Sequence, residues 1–146
     1  MIAENAADLV ARVKSIPALT NSAGLAIGGK AGDPSLLKIP PPVAWILFGG
    51  DQADEEPYTA SSRTGPGMVP SVEVVLAIFR VLVYVPYIND DDLLTNQYPL
   101  LESVIRAIRG QQAPSGHRWR YLGQKLTLVY TDRLAYEQRY SLDMVI

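Results

Sequence analysis

Cysteine is missing altogether from this 146-residue chain. Its absence removes disulfides, thiolate zinc sites and cysteine nucleophiles together, and it fits a reducing compartment. Histidine occurs once, at His117, so no pair of histidines at helical spacing can hold zinc. No Gly-x-Ser-x-Gly elbow occurs, which takes away one familiar setting for a nucleophilic serine. Long apolar runs are also scarce. The longest, Val72 to Val85, is interrupted by Glu73 and Arg80 and is too short and too charged to span a bilayer. Met1 to Asn5 carry neither the basic nor the apolar region of a signal peptide. These absences predict a soluble protein made and kept in the cytosol, with no membrane partner.

What is present is the make-up of a folded domain. The hydrophobic fraction is 48% and the charged fraction 19%, and the length suits one domain spanning residues 1–146 with one core. A formal net charge of −2 gives no compositional case for nucleic-acid binding. The charge is unevenly placed. Residues 1–103 carry 6 Lys/Arg against 12 Asp/Glu, whereas residues 104–146 carry 7 against 3. A chain polarised in this way can bind copies of itself, acidic face on basic face. Chance scatter over a solvated surface would look the same.

Leu9, Val10 and Val13 recur at helical spacing, which predicts a helix over 2–15 ended by Pro17. Leu25 to Ile27 reads as a short strand before a turn-rich stretch. Pro40 to Pro42 then impose an extended approach to the strand Val43–Phe48. Residues 49–68 form a long polar insert. Val72–Val85 is apolar on both faces and reads as a strand covered on both sides, with a second subunit one possible cover. Asn89 to Asp92 resembles a helix-capping turn, and a helix follows to Arg109. Leu94, Leu101, Ile105 and Ile108 lie on one face of it, and Pro99 marks the first turn of its main part. Trp119–Tyr130 and Leu134–Ile146 read as a hairpin with a bulge at Gly123. In the last strand Leu134, Tyr136, Tyr140, Leu142 and Met144 alternate with Ala135, Glu137, Arg139, Ser141 and Asp143. The predicted order is α-β-β-(long loop)-β-α-β-β. That order gives an α+β fold, a mixed, mainly antiparallel sheet with two helices on one face.

Candidate chemistry is thin. Gly24 to Lys30 has phosphate-loop spacing, but Ala31 stands where magnesium needs a hydroxyl, and Gly32-Asp33-Pro34 prevents a following helix. A glycine-rich turn is the better reading. Asp90-Asp91-Asp92 could ligate a hard cation, or serve only as helix-capping acids. A small metal-dependent hydrolase would need these aspartates and His117 to converge. Arg118, Arg120, Lys125, Arg133 and Arg139 are interleaved with Trp119, Tyr121, Tyr130 and Tyr136, a mixture that can bind single strands. On strands, however, the aromatics would face the core and the arginines the opposite side. No catalytic residue, metal or cofactor is expected.

The layout resembles one family over nearly the whole length. The resemblance lies in the helix Ala3–Ser15, the strand Val43–Phe48 after a proline approach, the long polar loop and the apolar strand Val72–Val85. It continues through the helix ending at Arg109-Gly110 and the closing stretch Leu128–Leu142. The family is the phage tail terminator (tail completion) proteins, including those of Mu-like prophages. The resemblance implies a non-enzymatic virion protein, assembled in the host cytoplasm, that forms a hexameric ring on the head-proximal end of the tail tube. It would stop tube growth and present a surface for head joining. The implied partners are copies of itself, the tail tube protein and the head–tail connector protein, with DNA met only as it passes through the ring. Another head–tail joining or neck protein is the alternative. On this reading the insert carries the tube contact, through Asp51, Asp54, Glu55, Glu56, Tyr58 and Arg63. A subunit or partner face would be built from Arg118, Arg120, Arg133, Glu137 and Arg139.

Overall fold

Apolar residues at helical spacing place Asn5, Ala6, Leu9 and Val13 on the buried face of helix α1 (Ile2–Lys14). The computed structural model that reveals this describes residues 2–25, 38–53 and 74–145. A single 3-10 turn, Pro17–Leu19, follows. The strands are β1 (Ala23–Leu25), β2 (Val43–Ala53), β3 (Val74–Pro86), β4 (Arg120–Val129) and β5 (Arg133–Val145). They form a five-stranded sheet in the order β1-β2-β3-β5-β4. Only β1–β2 is parallel; the remaining pairs are antiparallel. Helix α2 (Tyr98–Ile108) packs beside α1, and both cover the same face. The fold is therefore the expected α+β arrangement, with a mixed sheet and two helices on one side.

The core beneath the helices is continuous. Phe79, Val81, Val83, Val85, Tyr140 and Leu142 project from the two central strands against Leu9, Val13, Leu101, Val104 and Ile108. Burying each such aliphatic side chain stabilises the fold by about 1.5–3 kcal/mol. Trp119 fills the end of this layer. Its ring meets Phe79 edge-on at 5.2 Å, and its indole N–H donates to Asp8 at 2.9 Å. One polar network crosses the core. Gln138 donates to the Leu101 carbonyl at 3.1 Å and to Gln124 at 3.2 Å, while its own carbonyl accepts from the Tyr140 hydroxyl at 2.8 Å. The partners of these buried polar groups satisfy them.

Three departures from the sequence expectation have physical causes. First, β2 does not stop at Phe48. A register shift between Phe48 and Gly50 carries the ladder on to Ala53, opposite Val75. Glycine permits this at both positions. Gly50 has φ +114, and a Cβ on Gly49 would lie 3.2 Å from the Ile78 carbonyl. The insert expected at 49–68 therefore gives up its first five residues to a strand. Second, Leu94 is exposed and Leu93 is buried. The turn Leu93–Gln97 is a π-helix in which the Tyr98 N–H reaches back to the Leu93 carbonyl. Pro99 has no N–H with which to close the ordinary turn, and the wider turn shifts the apolar phase by one residue. Third, the second apolar side of β3 is partly covered from within the chain. Leu82 and Tyr84 are buried with Val43, Leu47 and Ala135, and Ile39, Trp45, Leu128 and Tyr130 pack against them. The approach to β2 contains a cis peptide bond between Pro41 and Pro42.

Candidate functional site: the helix-free face of the sheet

Alternation along the strands sends one set of side chains away from both helices, and the ladder aligns them in rows. One row runs Val43–Tyr84–Ala135–Leu128, the next Trp45–Leu82–Glu137–Lys125, and the third Leu47–Arg80–Arg139–Gly123. Beyond them Ile78, Ser141 and Arg120 form a fourth. The face is thus apolar at one end and charged across its middle.

Arg133 ties down the cover at the apolar end. Its Nη1 donates to the Ile39 carbonyl at 2.8 Å and its Nη2 pairs with Asp132 at 2.9 Å. The hydrogen bonds from Arg133 hold the Asp132 carboxyl below its usual range. In the middle of the face, Glu137 lies between two cations. Arg80 Nε is 3.0 Å from one carboxylate oxygen and Lys125 Nζ is 3.8 Å from the other. The Glu137 side chain is only 8% exposed, whereas those of Arg80 and Lys125 are 49% and 67% exposed. Gly49 makes the first contact possible, because a Cβ there would come 3.3 Å from Arg80 Nε. Arg120 pairs with Asp143 at 2.8 Å and bonds Ser141 at 3.3 Å. Arg139 is exposed, lies opposite Arg80, and has no ion-pair partner among the described residues.

The residues proposed for a partner face are thus only partly together. Arg120, Glu137 and Arg139 share the helix-free surface. Arg133 belongs to it by position but is buried and committed to Ile39 and Asp132. Arg118 lies elsewhere: it donates to the Gly110 carbonyl at 2.7 Å, at the end of α2 where the helix dipole favours a cation. Of the insert residues, Asp51 lies in β2, paired with Ala77. Asp54, Glu55, Glu56, Tyr58 and Arg63 lie outside the described residues, as does the glycine-rich stretch beyond Leu25. Arg80 was not anticipated. Its signal was a lone charge at the centre of an apolar strand.

The aspartate triplet and His117 do not converge. Asp90–Asp92 begins the helical run that ends at Ile108. Asn89 caps it by accepting from the Asp92 N–H at 2.8 Å. Asp92 itself accepts from Asn96 and Gln97, which lowers its pKa. His117 lies in the loop beyond the other end, where its carbonyl accepts from Ala113. At about 1.5 Å per residue the helical run between them is roughly 27 Å long. Among the described residues no cluster of three His, Asp or Glu side chains could hold a metal. No helix among them is long and apolar enough to cross a membrane.

Trp119, Tyr121 and Tyr136 pack on the helix side, opposite the cations, as strand alternation predicts, whereas Tyr130 lies on the helix-free side, edge-on to Tyr84 at 6.5 Å. Tyr121 packs on Tyr140, and Tyr136 meets Tyr98 edge-on at 6.4 Å. Burial, with the nearby Tyr98, raises the Tyr136 pKa to about 12. Burial also raises that of Tyr140. With Trp119, Tyr121 and Tyr136 turned away from its cations and Tyr130 packed on Tyr84, the hairpin gives little support to a stacking platform beside a phosphate track.

No protein-family model matches the chain, and a search of curated proteins finds no match.

Proposed function

We propose that the chain is a structural protein of the phage tail terminator type. On this reading it forms a ring, of six copies in the related family, that caps the head-proximal end of a tail tube and offers a surface for head joining. The observation that carries the reading is the layered layout itself. Among the described residues a sheet is sheathed by helices on one face and carries charge on the other, and a long polar insert joins β2 to β3. Such a layout suits contacts between proteins. The separation of Asp90–Asp92 from His117 gives the hydrolase alternative no support. The protein would act in the virion, at the head-proximal end of the tail, and would need no cofactor. The far part of the insert, with Tyr58 and Arg63, is its proposed contact with the tube.

The test is to add the purified protein to growing tail tubes and measure tube lengths by electron microscopy. A terminator arrests growth at one end and narrows the length distribution. Tubes that grow on unchanged, with no protein at their ends, would overturn the reading. Replacing residues 53–65 by a short Gly-Ser turn should abolish arrest if the insert reads the tube. A neck protein would instead bind heads without affecting tube length.

A further inference from the structure

On the helix-free face, apart from the buried Arg133, four cations stand on three neighbouring strands: Arg80 on β3, Arg139 on β5, and Arg120 and Lys125 on β4. Among the described residues two carboxylates accompany them on these strands, and both are engaged, Glu137 by Arg80 and Lys125, Asp143 by Arg120. Arg80 and Arg139 are direct ladder partners. Like charges held opposite one another on a sheet destabilise it unless an anion lies over them. Gly123 is the β4 partner of Arg139, so no side chain fills the space beside it. Among the described residues this surface has no acidic strip to match its cations.

The same chain carries such a strip. Asp51, Asp54, Glu55 and Glu56 place four acids within six residues, with no base before Arg63. We propose that this segment of a second copy lies across the Arg80–Arg139 row, joining subunits head to side. The inference rests on the ring reading and deepens it, giving the acidic half of the insert to the neighbouring subunit and leaving Tyr58 and Arg63 for the tube. Chain geometry favours the second copy over the segment's own sheet. Ala53 pairs with Val75, five residues from Arg80 along β3, or roughly 17 Å at about 3.3 Å per residue. β2 runs away from Arg80 as it approaches Ala53. Even fully extended, the three residues after Ala53 reach only about 11 Å. Binding in cis would need an immediate reversal and an extended return, whereas binding in trans has no such constraint. The contact is also heterologous, one surface meeting a different one, and so it can generate a ring.

The experiment is a charge exchange on the full-length protein, read by light scattering and sedimentation at micromolar concentration. The wild type should self-associate, and raising salt from about 50 mM to about 500 mM should weaken association at least about tenfold. Arg139→Glu should weaken it comparably at low salt. It puts a carboxylate opposite Arg80, so an unchanged circular dichroism spectrum is expected. The double variant Glu55→Lys/Glu56→Lys should weaken association to a similar degree without touching the sheet. An equimolar mixture of the two should regain association, because the reversed face of one accepts the reversed strip of the other. A mixture no better than its components overturns the proposal. So does wild-type association by Arg139→Glu, or a wild type monomeric under every condition. The tube-length assay decides the ring reading separately, since a ring held by other contacts would still arrest growth.

Discussion

The two faces of the sheet share the same strands but follow different rules. Under the helices, Phe79, Val81, Val83, Tyr140 and Leu142 are sealed, and Gln138, which enters among them, is matched partner by partner. On the other face, cover among the described residues lies over the Val43–Tyr84–Ala135 end, pinned by the buried Arg133. The middle rows leave paired and unpaired charges at the surface. Stability therefore belongs to the first face and, on the proposed reading, recognition to the second, and substitutions should sort accordingly.

The largest effect is expected on the sealed face. Trp119→Ala removes a wholly buried ring, its contact with Phe79 and the partner of Asp8. It should cost about 3–5 kcal/mol, measured by urea unfolding. Next comes Gln138→Ala. It leaves the Tyr140 hydroxyl and the Leu101 carbonyl without their partner and should cost about 1–3 kcal/mol by the same measurement. A comparable loss on the helix-free face, from Arg139→Ala for example, would break the contrast. That substitution should change stability by less than about 0.5 kcal/mol.

High pH sharpens the same division. The Tyr136 pKa is raised to about 12, above its ordinary value of about 10. The folded state therefore holds the proton that the unfolded chain gives up. This stability is complete below about pH 10 and is lost as pH rises through about 12. Tyr136→Phe should flatten the decline of thermal midpoint with pH across that window, and an unchanged slope would refute the assignment. Glu137→Gln is also expected to have a small effect on folding, about 1 kcal/mol or less, because its cationic partners are half-exposed or more. Its mark should be reduced sensitivity of stability to salt, seen in unfolding at low and high ionic strength.

Much of the fold was legible because periodicity reports burial directly. The alternation from Leu134 to Met144 placed β5's two faces correctly, and the spacing of Leu9 and Val13 placed α1. Gly123 marked its bulge, with a φ of +125 that favours glycine. The errors fell where a local device breaks the period. The π-turn before Pro99 exchanged Leu94 for Leu93. The paired glycines after Phe48, which read as a loop, proved to be a bulge that prolongs a strand. The charged surface was only half legible. Arg120, Glu137 and Arg139 follow from the last hairpin's alternation, but Arg80 reaches them through a strand pairing with no sequence signature.

The sequence by itself determined the class of fold, the lack of cysteine chemistry and the two-sided character of β3 and β5. Each depends on residue type and local period. Tertiary structure alone decided that Arg118 caps a helix, that Arg133 is buried as a tie, and that Arg80 shares Glu137 with Lys125. Those roles depend on which strands lie side by side and which carbonyls are left open, and a side chain takes its partners from neighbours distant in the chain.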